Sequence, residues 1–408
     1  MIVSTYLYGL PQLRFGYIMV YIRPQNWKER FVVILNKEDA THVAEIFEDF
    51  FDGFGRIDEY MRSVKMERMD LVPDTLPGMG PETEMFNEYN MHPSDMQFTI
   101  EEVGQNKFMN FMELVTSAPV ERSIPGKSLM WFVKEKTTNQ VLGMIRFGSP
   151  TINSRPRNEW MEKPLNTYDL PVMQRFNKSA IMGFNIVPMQ PFGYNCLGGK
   201  LLAAICCSHY ARKAINKKYN ANICLFETTS LYGSTKSVSQ YDGMKPILRH
   251  NGLTDSKFTP LINDKRFREL ALWFTRKNDG VPLVPADASS RKLKMQTTII
   301  SIVKKSLKLH DLTKYNSFVK TIQAAMDLTE QKRSFYCTYG YSNVPAYLRG
   351  DDTELVKADN FDRFELDQLI DWWRRKAVKR YDNLKSEGRI RTELEVWNEK
   401  PEGIQIIR

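Results

Sequence analysis

The run from Ser179 to Thr228 constrains this chain most: SAIMGFNIV, PMQPFGYNC, LGGKLLAAICCSHYARKAINKKY, NANICLFET. It reads as a strand, a glycine-rich turn, a helix from Gly198 to Lys218 and a second strand. Leu201, Leu202, Ile205 and Cys206 give the helix its apolar stripe. Strand, helix, strand is a βαβ unit, so the two strands are expected as parallel neighbours in one sheet.

The flanks add to that unit. SLMWFVKEKTTNQVLGMIRFGSP reads as two strands around the polar turn EKTTNQ, a hairpin. Residues 1–35 hold two further β-rich runs, RFGYIMVYI and RFVVIL. NKEDATHVAEIFEDFFDGF reads as a helix capped by Asp39 or Thr41, with Val43, Ile46, Phe47 and Phe50 on one face. The Pro-, Gly- and Met-rich run LVPDTLPGMGPETEMFNEYNMHPSD is expected as a loop, and TIEEVGQNKFMNFMELV as a helix. Beyond residue 260 the pattern is mostly helical, ending in FDRFELDQLIDWWRRKAVKRYDNLKSEG. There Phe364, Leu366, Leu369, Ile370 and Trp373 form a stripe. The expectation is an α+β fold: a central mixed sheet with flanking helices and a mostly helical C-terminal region. Three parts follow: residues 1–120, an acidic α/β region; 121–260, a basic core; 261–408, a basic, mostly helical region.

Charge supports that division. Residues 1–120 hold 10 Lys/Arg against 19 Asp/Glu, a net −9. Residues 121–260 hold 19 against 8, a net +11, and residues 261–408 hold 28 against 21, a net +7. The basic part is expected to meet a polyanion, DNA, and the acidic part a protein partner. ARKAINKK supplies Arg212, Lys213, Lys217 and Lys218, and WWRRKAVKR supplies Arg374, Arg375, Lys379 and Arg380. These cations can neutralise phosphates, and the aromatic residues among them can stack on bases. Basic residues late in a helix also suit its dipole.

No run reaches the ~18–20 apolar residues of a membrane span, so no membrane partner is expected. The N-terminus has no basic head and apolar stretch of a secretory signal. The cysteines, Cys196, Cys206, Cys207, Cys224 and Cys337, are odd in number and irregularly spaced. Both points favour a reducing compartment, the cytoplasm, which the resemblance given below implies is that of a bacterial host cell. Cys206, Cys207 and His209 are close, but no second ligand pair lies at a zinc-like spacing, so no metal is expected.

The glycine turn is a poor nucleotide-triphosphatase loop. Gly193 and Gly198 have the Walker spacing, but Gly199 stands where lysine is needed and Leu201 carries no hydroxyl. Gln190-Pro-Phe-Gly193-Tyr-Asn195 is closer to Q/R-x-x-G-x-G/A, the pyrophosphate loop of GNAT acyltransferases. Backbone N–H groups at a helix start can hold phosphate oxygens. The alternative is that Gly198 and Gly199 only permit tight helix–sheet packing. Glu227 ends the second parallel strand, where active sites of open α/β sheets lie. It suits a general base, with Tyr232 or Tyr241 as general acid. The Ser- and Thr-rich loop that follows is also ordinary capping material.

SIPGKSLMWFVKEKTTNQVLGMIRFGSP, IMGFNIVPMQPFGYNCLGGKLLAAI and ICLFETTSLYGSTKSVSQY follow in an order that resembles the DruA-like family, over roughly residues 120–255. That family is named for a protein of the Druantia anti-phage system and is also common in phage genomes. The same order resembles GNAT acyltransferases, including Mom-type enzymes that modify adenine in DNA. The resemblance implies an acyl-type transferase acting on a DNA base amine, with acyl-CoA as donor. It implies a phosphate-facing loop of Gln190, Gly193, Asn195, Gly198, Gly199 and Lys200. It implies a reactive centre at Glu227 with Tyr232 or Tyr241. A DNA-binding protein without chemistry and a virion or assembly protein are the alternatives.

Overall fold

The computed structural model describes residues 33–52, isolated positions between 62 and 69, 84–117, 126–233, 239–257, 261–262, 264–286, 288, 291–327, 331–397 and 404. The first β-rich run expected near the N-terminus lies outside the described residues, as does the start of the second.

Seven strands form one mixed sheet: β1 Phe98–Glu102, β2 Ser128–Glu135, β3 Val141–Gly148, β4 Ala180–Pro188, β5 Leu225–Gly233, β6 Arg249–Lys257 and β7 Gln331–Cys337. Their spatial order is β1-β2-β3-β4-β5-β7-β6. Only β4 and β5 are parallel. The helices are α1 Lys37–Asp52, α2 Gln105–Val115, α3 Arg155–Trp160, α4 Leu170–Ser179, α5 Phe192–Cys196, α6 Gly198–Cys206, α7 His209–Tyr219, α8 Asp264–Lys277, α9 Arg291–His310, α10 Leu312–Asp327, α11 Val344–Arg349 and α12 Leu366–Ser386. The α+β class, the β2–β3 hairpin and the parallel β4–β5 pair all stand as the sequence predicts.

Alternation along the strands builds two apolar faces. Trp131, Ile145, Phe147 and Phe226 bury against α6, α7 and α12. On the other face, Met130, Phe132 and Met144 bury against α2. Leu225 and Tyr336, on that second face too, bury against α4 and α11. A separate core unites α1 with α8, α9 and α10. Acidic residues of α1 meet basic residues of that core directly: Asp39 pairs with Lys277 at 2.7 Å and Glu48 with Lys314 at 2.7 Å. Part of the N-terminal acidic charge therefore has its partner within the chain.

Four local expectations need correction. The cap of α1 is Asn36, whose Oδ1 accepts from the Asp39 N–H at 2.8 Å; Asp39 and Thr41 already lie inside the helix. The run expected as one helix over 99–115 opens as strand β1, because Phe98 to Glu102 pair with the edge of β2. The helix expected over 198–218 breaks in two. Ser208 stops α6 and caps α7, its Oγ accepting from the Ala211 N–H at 3.1 Å. Strands β6 and β7 were not expected, and β7 comes from the region read as mostly helical. It inserts between β5 and β6, where its backbone finds partners on both sides.

Helix α6 lies close to the sheet because Gly143 has no side chain. A Cβ there would meet Leu202 Cδ1 at 2.6 Å and the Val187 carbonyl at 2.9 Å. Helix α12 then covers α6. Trp373, fully buried, donates from Nε1 to the Cys196 carbonyl at 2.9 Å. Trp373→Ala is expected to cost about 3–5 kcal/mol, as a large cavity in a packed core does. Chemical denaturation measures this; a loss below about 1 kcal/mol, the size of a surface change, contradicts the anchoring role.

Candidate functional site

Two places hold the residues singled out by the sequence, one just after β4 and one where β4 and β5 part. The first is the glycine turn. Its glycines face the chain itself. A methyl at Gly193 would collide with the Gln190 amide and Pro188. One at Gly198 would meet the Phe192 ring at 2.6 Å, and one at Gly199 would collide with Gln240. Gln190 turns inward, its Oε1 accepting from the Tyr194 N–H at 3.0 Å. Asn195 is buried and holds a segment far along the chain. Its Nδ2 donates to the Arg391 carbonyl at 2.8 Å, and its Oδ1 accepts from the Arg391 N–H at 3.1 Å. Lys200 Nζ donates to the carbonyls of Gln240, at 3.0 Å, and Asp242. Burial lowers the Lys200 pKa, against the opposing pull of Asp242. The turn expected to face a pyrophosphate is thus filled by Gln190, Phe192 and Gln240. As folded it does not fit the CoA pyrophosphate.

The second place is the fork between β4 and β5. The strands pair over Ala180–Gly183 and Leu225–Thr228 only, although each is nine residues long. Beyond the fork β4 pairs with β3 and β5 with β7. The Thr228 hydroxyl donates to the Gly183 carbonyl at 2.9 Å, closing the apex.

Glu227, expected to end its strand, is instead the third residue of β5, because pairing with β7 carries the strand on to Gly233; it stands at this apex, buried, on the face covered by α4. Its Oε2 accepts from Arg157 at 2.7 Å, with both side chains almost wholly enclosed. Arg157 also donates to the carbonyls of Thr151, at 2.8 Å, and Ile152. Its guanidinium lies 4.5 Å from the centre of the Phe176 ring. Burial raises the Glu227 pKa, and Arg157 opposes that rise. Tyr241 is buried on the opposite face, among residues that pack with α6. Burial raises its phenol well above the usual range, while hydrogen bonds to Thr228 and Gln240 pull it down. Glu227 and Tyr241 therefore do not line one reactive centre, since the sheet separates them. Tyr232 belongs to β5, but its side chain lies outside the described residues.

Among the expected phosphate contacts, Lys217, Arg375 and Lys379 are exposed. The others are engaged. Arg212 bonds His209 Nδ1 at 3.2 Å and the Tyr341 hydroxyl at 3.0 Å. Lys213 and Lys218 pair with Glu365 and Glu102. Arg374 pairs with Asp371, and Arg380 lies over the Tyr194 ring. His209 Nε2 donates to the Phe361 carbonyl at 3.0 Å, so both of its ring nitrogens are occupied within the chain. The described residues hold no cluster of three or more His, Cys, Asp or Glu suited to a metal ion. No helix among them is long and apolar enough to cross a membrane.

Residues 85–243 match the family model described as Druantia protein DruA. Over this stretch the chain is similar to the DruA family. The match takes in β1 to β5, the glycine turn, Glu227 and Arg157. No curated protein and no solved structure matches the chain.

Arg157 was not legible as a site residue. RPRNEW reads as a short basic helix start, and only the fold turns one of its arginines onto Glu227. Arg146 did leave a signal, as a lone charge inside the apolar strand VLGMIRFG. It is buried on the same face as Glu227, opposite Asn185 of β4.

Arg157→Met leaves the Glu227 carboxylate buried without its counter-charge, with an expected cost of about 3–5 kcal/mol at pH 7. The folded-state pKa of Glu227 lies above its unfolded value of about 4.3, so protonation favours the fold. That contribution is full below the unfolded value and is lost as pH rises through the folded one. Without Arg157 the folded value rises further. The deficit of the variant should therefore shrink between pH 7 and pH 5, measured by denaturation at both. An equal deficit at both contradicts the assignment.

Proposed function

We propose that this chain, similar to the DruA family over residues 85–243, is a group-transfer enzyme of phage defence that acts on a base amine of DNA at the fork between β4 and β5. The carrying observation is the fork. Two parallel strands part after Gly183 and Thr228, and ligands of open α/β sheets bind where neighbouring strands diverge. Glu227 sits at the apex, and its raised pKa suits a group that takes a proton from an attacking amine. Arg157 orients that carboxylate and restrains its charge. The donor is of acyl type, and bound acyl-CoA would supply an activated carbonyl. The glycine turn does not fit its pyrophosphate, so no step is assigned through that turn.

Nucleoside mass spectrometry of DNA made with and without this chain tests the reading. A new modified base is expected, and it should disappear with Glu227→Gln. Unmodified DNA in the presence of folded, expressed chain overturns the reading.

The filled glycine turn favours a second reading, a DNA-binding protein without chemistry. Both readings place DNA on the outer sides of α7 and α12, where Lys217, Arg375 and Lys379 are exposed and have no carboxylate partner among the described residues. Their apolar sides are committed to the core they share with α6 and the sheet, so the cations face outward. Changing the three to Glu should weaken DNA binding and flatten the plot of log K against log salt by about 2–3, roughly 0.9 for each phosphate no longer neutralised. An unchanged slope removes these helices from the interface.

A further inference from the structure

We propose that Tyr194 and the arginines Arg380, Arg389 and Arg391 form a clamp for single-stranded nucleic acid. The inference rests on the reading that this chain engages DNA, and it names the strand form and the place where the strand is held.

The Arg391 guanidinium carbon lies 3.8 Å from the centre of the Tyr194 ring, and that of Arg380 lies 4.7 Å from it. Arg389 donates to the Tyr194 hydroxyl at 3.3 Å. Two carboxylates answer these three charges: Glu387 pairs with Arg389 at 2.6 Å and Glu395 with Arg391 at 3.2 Å. Arg380 has no carboxylate partner among the described residues. Its Nε reaches only the Tyr194 carbonyl, at 3.4 Å.

The cluster is held from below. Asn195 fixes the Arg391 backbone through both of its polar atoms. The Glu395 N–H donates to the Gln190 carbonyl at 3.2 Å. The glycine turn, closed to a ligand of its own, thus becomes the floor on which the arginines are arranged.

Guanidinium chemistry selects the partner. Its edge pairs with phosphate oxygens in a fork, and its flat face stacks on an unpaired base. A duplex keeps its bases stacked inward and offers only phosphates. An acidic peptide or a lipid surface offers charge without a ring to stack. Tyr194 follows the end of β4 at Pro188 by six residues, so the clamp lies near the C-terminal end of that strand.

Fluorescence anisotropy of the full chain with a labelled oligothymidylate and a duplex of equal length tests the clamp. Tighter binding of the single strand is expected. Arg380→Ala with Arg391→Ala should lower single-strand affinity by about tenfold or more, the scale of one base stack, and leave duplex affinity nearly unchanged. Arg391→Lys keeps the charge and loses the plane, so it should reduce the preference for single strands while holding the salt slope. If the double variant binds single strands as the parent does, and the change of Lys217, Arg375 and Lys379 to Glu still weakens binding, the clamp is wrong and the general DNA reading survives. If polyglutamate competes as well as the oligonucleotide, the clamp reads charge alone and the proposal falls. If the parent chain binds no nucleic acid, both fall.

Discussion

The parallel pairing of β4 with β5 is the constraint on which the rest depends. Parallel neighbours need a crossover on one face of the sheet. Here α6 and α7 supply it, and α6 is apolar nearly all round, LLAAIC after its two glycines and a lysine. Such a helix must be covered on both sides. The sheet takes one side, with Gly143 letting the helix close in. Helix α12, from much later in the chain, takes the other and is fastened by the Trp373 bond to Cys196. The fork follows from the same pairing, because β7 claims the outer edge of β5 and β3 that of β4.

Charge is arranged around that core in two ways. Inside, Arg157 and Glu227 pair on the second face, where neither is tolerable alone. Outside, charges are spread over α7, α12 and the segment after α12. There the arginines near Tyr194 are ordered by backbone bonds to Asn195 and Gln190 as well as by carboxylates. The polar residues of the glycine turn thus position a surface instead of lining a pocket.

Much of the frame was legible in sequence. The βαβ unit, the hairpin and the mostly helical stretch beyond residue 260 show their periodicity directly, because each element buries one face and repeats at its own period. Glu227 was legible as a strand carboxylate, but its expected place at the strand end was not, because β5 runs on to Gly233 once β7 pairs with it. What failed had local causes. Ser208 breaks a continuous helical pattern with a cap that is only a serine until its hydroxyl is placed. Strand β7, QKRSFYC, has little alternation of its own, and its strand character comes from lying between two partners.

By itself the sequence determined the α+β class, the parallel pair and the order of apolar faces, since these follow from residue periodicity. It also set where positive charge accumulates. Only the tertiary structure decided what the glycine turn does. Gly193, Gly198 and Gly199 suit either a ligand or a close neighbour, and the choice depends on atoms that fold in from far along the chain. Gln240 against Gly199 and Arg391 against Asn195 are such neighbours, the second pair 196 positions apart. Tertiary structure likewise put Glu227 and Tyr241 on opposite faces and gave Glu227 its arginine. Those outcomes depend on burial and on long-range contact, which local sequence does not carry.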